Sequence, residues 1–167
     1  MKICRIMTKI FLVVVVSFVG SIQWSYDVIA AQSQPEIHGV AWSNDATKVA
    51  VGYSDGSIKI FDSVTMQVLH TLQEGTRPVT SLAWKPDGSQ LLSGGYDGVA
   101  WVWDTSSGQL LATLPNISLE AVMEVTWSLD GNQILTWGFD RSQNLLIWDV
   151  QTFNLVSTLD RAGDAVQ

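Results

Sequence analysis

The chain repeats itself three times, with a period of 42 to 45 residues. Trp42, Trp84 and Trp127 stand 42 and 43 residues apart. Three aspartates keep the same phase, at spacings of 42 and 45 residues: Asp62, Asp104 and Asp149. A fixed period of this size indicates a repeat architecture, in which one supersecondary unit is copied along the chain. The fold must therefore arise from the stacking of three similar units.

Each copy is predicted to form four short strands separated by turns. In the second copy the turn signals lie at residues 85–89, at Asp97-Gly98 and at residues 105–108. In residues 48–52 of the first copy, valines on one side of the strand oppose alanine and glycine on the other. Strands that are apolar or small on both sides are typical of sheets covered on both faces. Because the turns are short, we expect an antiparallel four-stranded meander that needs a neighbour on each face.

These copies resemble WD40 repeats, the units of β-propellers, in which a Trp-Asp dipeptide closes the third strand. The matching dipeptides are Phe61-Asp62, Trp103-Asp104 and Trp148-Asp149. The resemblance covers residues 37–159. It implies an all-β fold, a partial β-propeller of three four-stranded antiparallel blades at residues 37–78, 79–121 and 122–160. The repeat-position tryptophans, Trp42 among them, are then expected in the core.

The resemblance also implies a hydrogen-bonded network inside each blade. Besides the tryptophans Trp103 and Trp148, its members in this chain are Ser93 and Asp97 in the second copy and Thr136 and Asp140 in the third. The histidine that completes such networks in the family has no counterpart in the second or third copy. We therefore expect these blades to be less stable than a consensus repeat, with a polar group left unsatisfied or bound to water.

The third copy departs from the other two. Its loop at residues 140–144 is two residues longer and is expected to project. Trp137 stands in the column that holds Gly52 and Gly94 in the other copies. Close packing between sheets excludes a large ring from such a column. The sequence therefore predicts that this face of the last blade meets no ordinary neighbour within the chain.

Three blades cannot close a ring, because closed propellers use about four to eight. A blade face of four strands by five residues projects to roughly 300 Å². Leaving one face uncovered forfeits at most on the order of 5 to 8 kcal/mol, and two uncovered faces would forfeit a stabilisation comparable to the net stability of a typical domain. We therefore expect the chain to self-associate into a homo-oligomer that completes the propeller, to dock on another protein, or to be marginally stable.

The N-terminus has the layout of a secretory signal peptide. A basic start is followed by the apolar residues 10–19, and small residues at 28–30 or at 19–21 offer cleavage positions. We predict a signal-type helix within residues 1–30 and hence a secreted or periplasmic protein. The alternative is a membrane anchor formed by residues 10–26, although spanning takes about 20 apolar residues.

Beyond this segment we expect a linker at residues 31–36 and a polar tail at residues 161–167. The chain carries a net charge of -7, and its basic residues are scattered. Nucleic-acid binding needs clustered Lys and Arg, so it is not expected. The two histidines, His38 and His70, have no partner at metal-ligand spacing. We predict no cofactor, no metal and no enzymatic activity, and we assign the periodic aspartates to turn capping.

Loops at one rim of a WD40 propeller commonly bind peptides, and aromatic and Arg side chains that map there are binding candidates. We include Trp101, because its column holds Lys59 and Leu146 and is expected to be half exposed, and Trp137, for the reason given above. The candidate protein-binding residues are Arg77, Tyr96, Trp101, Trp137, Phe139 and Arg141.

The sequence thus favours a non-catalytic interaction scaffold that binds other proteins or peptides. Two alternatives stay open. The blades could be a fragment of a larger exported enzyme or sensor whose active site lies elsewhere, or they could be a truncated repeat fragment without a function.

Overall fold

The computed structural model of the protein describes residues 34–115, 120–139, 145–159 and 165–166. The chain separates into two compact units, Met1–Gln34 and Pro35–Gln167, and all of the described strands belong to the second. The predicted signal segment, Asp140 and Arg141 lie outside the described residues. Within the described residues, no helix has the length and apolar character needed to cross a membrane.

The strands form three sheets that follow one another along the chain. The first sheet contains β1 (Ile37–Trp42), β2 (Lys48–Tyr53), β3 (Ile58–Asp62) and β4 (Val68–Leu72). The second contains β5 (Val79–Trp84), β6 (Gln90–Gly95), β7 (Val99–Asp104) and β8 (Leu110–Pro115). The third contains β9 (Ala121–Trp127), β10 (Gln133–Phe139), β11 (Leu145–Asp149), β12 (Leu155–Leu159) and β13 (Ala165–Val166).

Every neighbouring pair of strands is antiparallel, and each sheet runs in chain order. The prediction of an all-β chain with three four-stranded meanders is therefore confirmed. The third sheet has one more strand, because β13 pairs with the outer strand β12. Part of the tail that was expected to be merely polar thus pairs with a free sheet edge, where unpaired backbone groups are available.

The aspartate that closes each third strand caps the turn that follows it. The carboxylate of Asp62 accepts hydrogen bonds from the backbone N–H groups of Val64 (3.1 Å) and Thr65 (2.7 Å). Asp104 and Asp149 make the same contacts in their own blades. Charged acceptors satisfy turn donors that have no strand partner. The prediction that these aspartates serve the turns is confirmed.

Two apolar cores lie between the sheets. The first holds residues of sheets one and two: Ala50, Ile58, Ile60, Leu72, Val79, Trp84, Leu91, Trp101 and Trp103. The second holds residues of sheets two and three: Leu92, Ala100, Val102, Leu114, Val122, Val125, Trp127, Ile134, Leu146, Trp148 and Val150. The middle sheet is thus covered on both faces, whereas each outer sheet contributes one face to a core.

Part of the predicted network is present in the second and third blades. The indole N–H of Trp103 donates to Ser93 Oγ at 2.8 Å, and that of Trp148 donates to Thr136 Oγ1 at 3.0 Å. Both hydroxyl groups are buried and have a partner, so neither is the unsatisfied group that the missing histidine led us to expect. Asp97 is not bonded to either pair and caps its own turn instead, accepting from the Val99 N–H at 3.3 Å.

Candidate functional site

The first strand of each blade (β1, β5 or β9), which we call its inner strand, carries three apolar side chains on one side. In the second and third blades these side chains point at the preceding blade. In β5 these are Val79, Leu82 and Trp84, which lie against the first sheet. In β9 the same positions hold Val122, Val125 and Trp127, which lie against the second sheet. We call this side of a blade its connector face. The opposite side, on which the next blade packs, is its receiving face.

The contact between connector and receiving faces is built twice in the same way. The indole N–H of Trp84 donates to the backbone carbonyl of Ala41 at 3.1 Å, and that of Trp127 donates to the carbonyl of Ala83 at 3.0 Å. Ala41 and Ala83 occupy equivalent register positions, paired with Ala50 and Leu92. The repeat in the sequence is therefore also a repeat of the interblade bond.

Glycine makes room for the valine of the connector face. A Cβ added to Gly52 would lie 2.6 Å from Val79 Cγ1, and one added to Gly94 would lie 2.7 Å from Val122 Cγ1. Non-bonded carbon atoms need about 3.5 Å or more. The receiving face therefore requires a residue without a side chain at this column, as the sequence pattern indicated.

The connector face of the first blade has no blade before it in the described part of the chain. Ile37, Val40 and Trp42 are 63%, 66% and 61% exposed, whereas Trp84 and Trp127 are 6% and 8% exposed. No described residue accepts a hydrogen bond from the Trp42 indole. The expectation that Trp42 lies in the core is therefore wrong, because burial at this position depends on the preceding blade.

The same face carries one positive charge. Lys59 Nζ lies 5.4 Å from the centroid of the Tyr53 ring, within the range of a cation–π contact. Phe61 is half-buried and pairs with Val49, and Val51 is buried. In this blade valine and phenylalanine thus replace the hydroxyl and indole groups that bond to each other in the other two. The exposed connector face is a contiguous apolar sheet surface with a lysine on it.

The receiving face of the third blade differs from the other two. Thr136 and Trp148 are buried toward the second sheet, and side chains alternate along a strand. Trp137 therefore lies on the opposite side, on the receiving face. It occupies the column of Gly52 and Gly94. Trp137 is half-buried, and the exposed Glu124 and Thr126 replace the small residues at the neighbouring positions of the inner strand.

Two of the candidate binding residues, Arg77 and Tyr96, lie together. Arg77 Nη1 donates to the Tyr96 backbone carbonyl at 3.4 Å, and both side chains are exposed. Asp97 is next to them. Burial raises the pKa of its carboxyl group above the usual value, while the Val99 N–H and the charge of Arg77 act in the opposite direction.

Trp101 is not a surface residue. It is 9% exposed and belongs to the core between the first two blades. A Cβ added to Gly75 would lie 2.9 Å from its Cη2 atom, and one added to Gly95 would lie 3.3 Å from its Cζ3 atom. The expectation of half exposure, drawn from Lys59 in the same column, is wrong. Lys59 faces outward because no blade precedes the first one in the described part of the chain, whereas Trp101 packs against the first blade.

The remaining candidates are placed as follows. Phe139 ends β10 and pairs with Ala121, and Arg141 lies outside the described residues. Among the described residues no group of three His, Cys, Asp or Glu side chains could hold a metal ion. His38 is exposed and His70 is half-buried. The arrangement offers surfaces for binding and no assembled catalytic group in the part that is described.

The sequence predicted an uncovered blade face but did not identify the residues of the connector face, although a signal for them exists. Aligning the three copies places Ile37 with Val79 and Val122, a column of branched apolar residues at the start of the inner strand. Only the packing of the sheets shows that the column serves contacts between blades.

Two models of β-propeller families match this chain. A model of the Vps8 β-propeller matches residues 49–142, which is more than half of the chain. A model of the WD40 domain of anaphase-promoting complex subunit 4 matches residues 13–78. Comparison with curated protein sequences gives no match.

Solved structures share the fold. The RRP9 WD40 repeats superpose with a TM-score of 0.71 at 24% identity, over 80% of this chain and 41% of theirs. The β-propeller domain of Myceliophteria thermophila Cps50 (Swd1) gives 0.66 at 22% identity, over 77% and 38%. A chain of the mitotic checkpoint complex gives 0.66 at 30% identity, over 74% and 39%. The protein thus spans about two fifths of the length of these structures, and by its three blades and its match to a propeller family model it belongs to the WD40-repeat β-propeller family.

Proposed function

We propose that the protein is a non-catalytic WD40 scaffold that binds other proteins, and that the connector face of its first blade is the principal binding surface. The observation that carries the proposal is the exposure of Ile37, Val40 and Trp42, whose counterparts in the other two blades are buried in interblade contacts. The two interblade contacts within the chain show the kind of surface, the receiving face of a blade, that a connector face packs against.

The energetics favour a covered face. Full burial of a Val or Ile side chain contributes about 1.5 to 3 kcal/mol, and Ile37 and Val40 are both about two-thirds exposed. Contiguous exposed apolar surface on a soluble protein marks an interaction site. The indole of Trp42 adds a directional donor, which is a common property of residues that dominate interfaces. Association through this face would complete the propeller in part, either with a second copy or with another protein.

The rim provides a second, smaller surface. Arg77 and Tyr96 are exposed and adjacent, and such residues are enriched at interface hot spots. Trp137, Phe139 and Arg141 remain proposed contributors in the third blade, and the burial of Trp101 removes it from the set. The acidic balance of the chain, -7 overall, favours a protein partner over a nucleic acid.

We also propose that the protein is exported. The support is the basic start and apolar core of residues 1–19, with small residues at 28–30. Expression of the full chain in a secreting host, followed by mass analysis of the exported product, tests this. We expect a product that begins near residue 31, and retention in the cell when residues 2–30 are deleted. A full-length product in the membrane fraction would support the anchor instead.

Site-specific photo-cross-linking in the native host tests the binding surface. A photoreactive amino acid replaces Val40 on the connector face, and in a control it replaces Leu129, which is 98% exposed and belongs to a turn instead of a sheet face. We expect a discrete cross-linked species from position 40 and none from position 129. The mass of that species distinguishes a second copy of the chain from another protein.

Absence of any discrete product at position 40, from a protein that unfolds cooperatively, would contradict the proposed function. A second candidate function is that the blades belong to a larger exported propeller protein. This alternative is favoured because the chain covers only 38% to 41% of the length of the related solved chains. An immunoblot of the native host with an antibody to residues 37–159 separates the two, since a larger propeller would migrate at about twice the mass of this chain or more.

A further inference from the structure

We infer that the connector face of the first blade docks on a propeller blade of a second polypeptide that presents small residues, and that the third blade of this chain is closed to such a contact. The inference rests on the proposed function and specifies its partner. It follows from a comparison of the three receiving faces, two of which are occupied within the chain.

An occupied receiving face has three small residues where the next blade approaches. In the first blade these are Gly39, Ala41 and Gly52, and in the second they are Ser81, Ala83 and Gly94. The Ala carbonyl accepts the indole N–H, and Ser81 Oγ accepts the backbone N–H of Val125 at 3.3 Å. The glycine leaves room for the valine. A partner blade for Ile37, Val40 and Trp42 needs the same features.

The third blade of the chain lacks them. Its equivalent positions hold Glu124, Thr126 and Trp137, paired in register as their counterparts are. A single Cβ at Gly52 or Gly94 would already lie 2.6 or 2.7 Å from the valine of the next blade. The complete indole of Trp137 therefore occupies the space that Ile37 of a second copy would need.

The connector face of the first blade and the receiving face of the third blade are therefore not complementary. The first blade keeps the full apolar triplet that connects blades, including the tryptophan donor. The third blade keeps a carbonyl at Thr126 and replaces the small side chains that give access to it. Heterologous interfaces carry the risk that identical chains assemble head to tail into rings or filaments. The residues of the third blade block such assembly. The connector face is left for a partner blade of the Gly, Ala and Ser type.

Purified proteins test this with a defined probe. The probe is the full chain with Glu124→Ser, Thr126→Ala and Trp137→Gly, which recreate the receiving face of the second blade, and with Trp42→Ala, which disables its own connector face. We expect sedimentation velocity to show a one-to-one complex between the wild-type chain and the probe. The wild-type chain alone should form no assembly that depends on Trp42.

Two controls define the contact. The Trp42→Ala chain without other changes should bind the probe more than about tenfold more weakly than the wild type, since buried tryptophans dominate interfaces. A probe that retains Trp137 should not bind. Thermal unfolding of each variant verifies that it is folded, and a receiver carrying only Trp42→Ala and Trp137→Gly replaces the probe if the larger set of changes prevents cooperative unfolding.

No complex with a folded receiver would overturn the inference. So would a wild-type dimer that dissociates on Trp42→Ala, because the connector face would then be covered by a second copy of this chain instead of by a partner blade with small residues. Failure of the inference can be distinguished from failure of the proposed function. If the proposed function is wrong, the cross-linking experiment gives no product at position 40. A product that joins position 40 to the third blade of a second copy contradicts only the inference.

Discussion

Trp84 donates its indole N–H to the backbone carbonyl of Ala41 at 3.1 Å, across the boundary between the first and second blades. The bond joins two residues 43 positions apart, and Trp127 repeats it with Ala83 one blade further on. Because the donor lies on the inner strand of one blade and the acceptor on that of the preceding blade, the bond fixes the stacking of sheets that local hydrogen bonds cannot fix.

Substitution of Trp84 and of Trp42 by phenylalanine should have unequal effects. Trp84→Phe removes a buried donor and part of a buried ring, so we expect the free energy of unfolding to fall by about 1 to 3 kcal/mol. Trp42→Phe affects an exposed ring with no acceptor among the described residues, and it should change stability by less than about 0.5 kcal/mol. Urea denaturation of both variants measures the difference. Equal losses would contradict this account of the interblade bond.

Gly94→Ala should destabilise the protein through overpacking. The new Cβ would lie 2.7 Å from Val122 Cγ1 and 3.1 Å from Val125 Cγ1, and overpacking of this kind costs about 1 to 3 kcal/mol. Gly39→Ala is the matched control, because its Cβ would find its nearest neighbour at 3.7 Å. Thermal unfolding compares the two. The combination of Gly94→Ala with Val122→Ala should relieve the steric contact, so the two costs should not add.

Stability should fall in acid because of the turn aspartates. Hydrogen bonds from the Ser106 hydroxyl, and then from the backbone N–H and hydroxyl of Ser107, lower the pKa of Asp104 from 3.8 to about 2. A carboxyl group with a lower pKa in the folded state contributes stability above the unfolded pKa. That contribution is lost as pH falls from about 4 to about 2. Denaturant midpoints measured through this range should fall less steeply for Asp104→Asn than for the wild type.

Asp97 should behave in the opposite sense. Burial raises the pKa of its carboxyl group in the folded state, so its contribution to stability is present below the unfolded pKa and is lost as pH rises through the folded value. Asp97→Asn retains an acceptor for the Val99 N–H and removes the buried charge. We expect stability at neutral pH that equals or exceeds that of the wild type. A loss of more than about 1 kcal/mol at neutral pH would show that the charge itself supports the turn.

Local sequence signals predicted the strands, the turns and the blade count. The turn aspartates could be assigned because an Asp next to Ser or Thr satisfies nearby backbone donors whatever the rest of the chain does. The assignment of Arg77 and Tyr96 to one rim came from the resemblance to WD40 repeats, and only the structure shows that they are in contact. The tail strand β13 was not predicted, because a two-residue pairing with a free edge leaves no periodic pattern.

The three copies share one set of local signals, and these signals define the strands and turns of each blade. The packing of one sheet on the next controls which of their equivalent residues are buried. Trp42, Trp84 and Trp127 hold the same position in their repeats, yet within the described residues only Trp84 and Trp127 have a preceding blade to pack against. Trp101 and Lys59 differ for the same reason. Burial is a property of the neighbouring sheet, and a residue at the end of a stack loses the neighbour that its repeat position was shaped to meet.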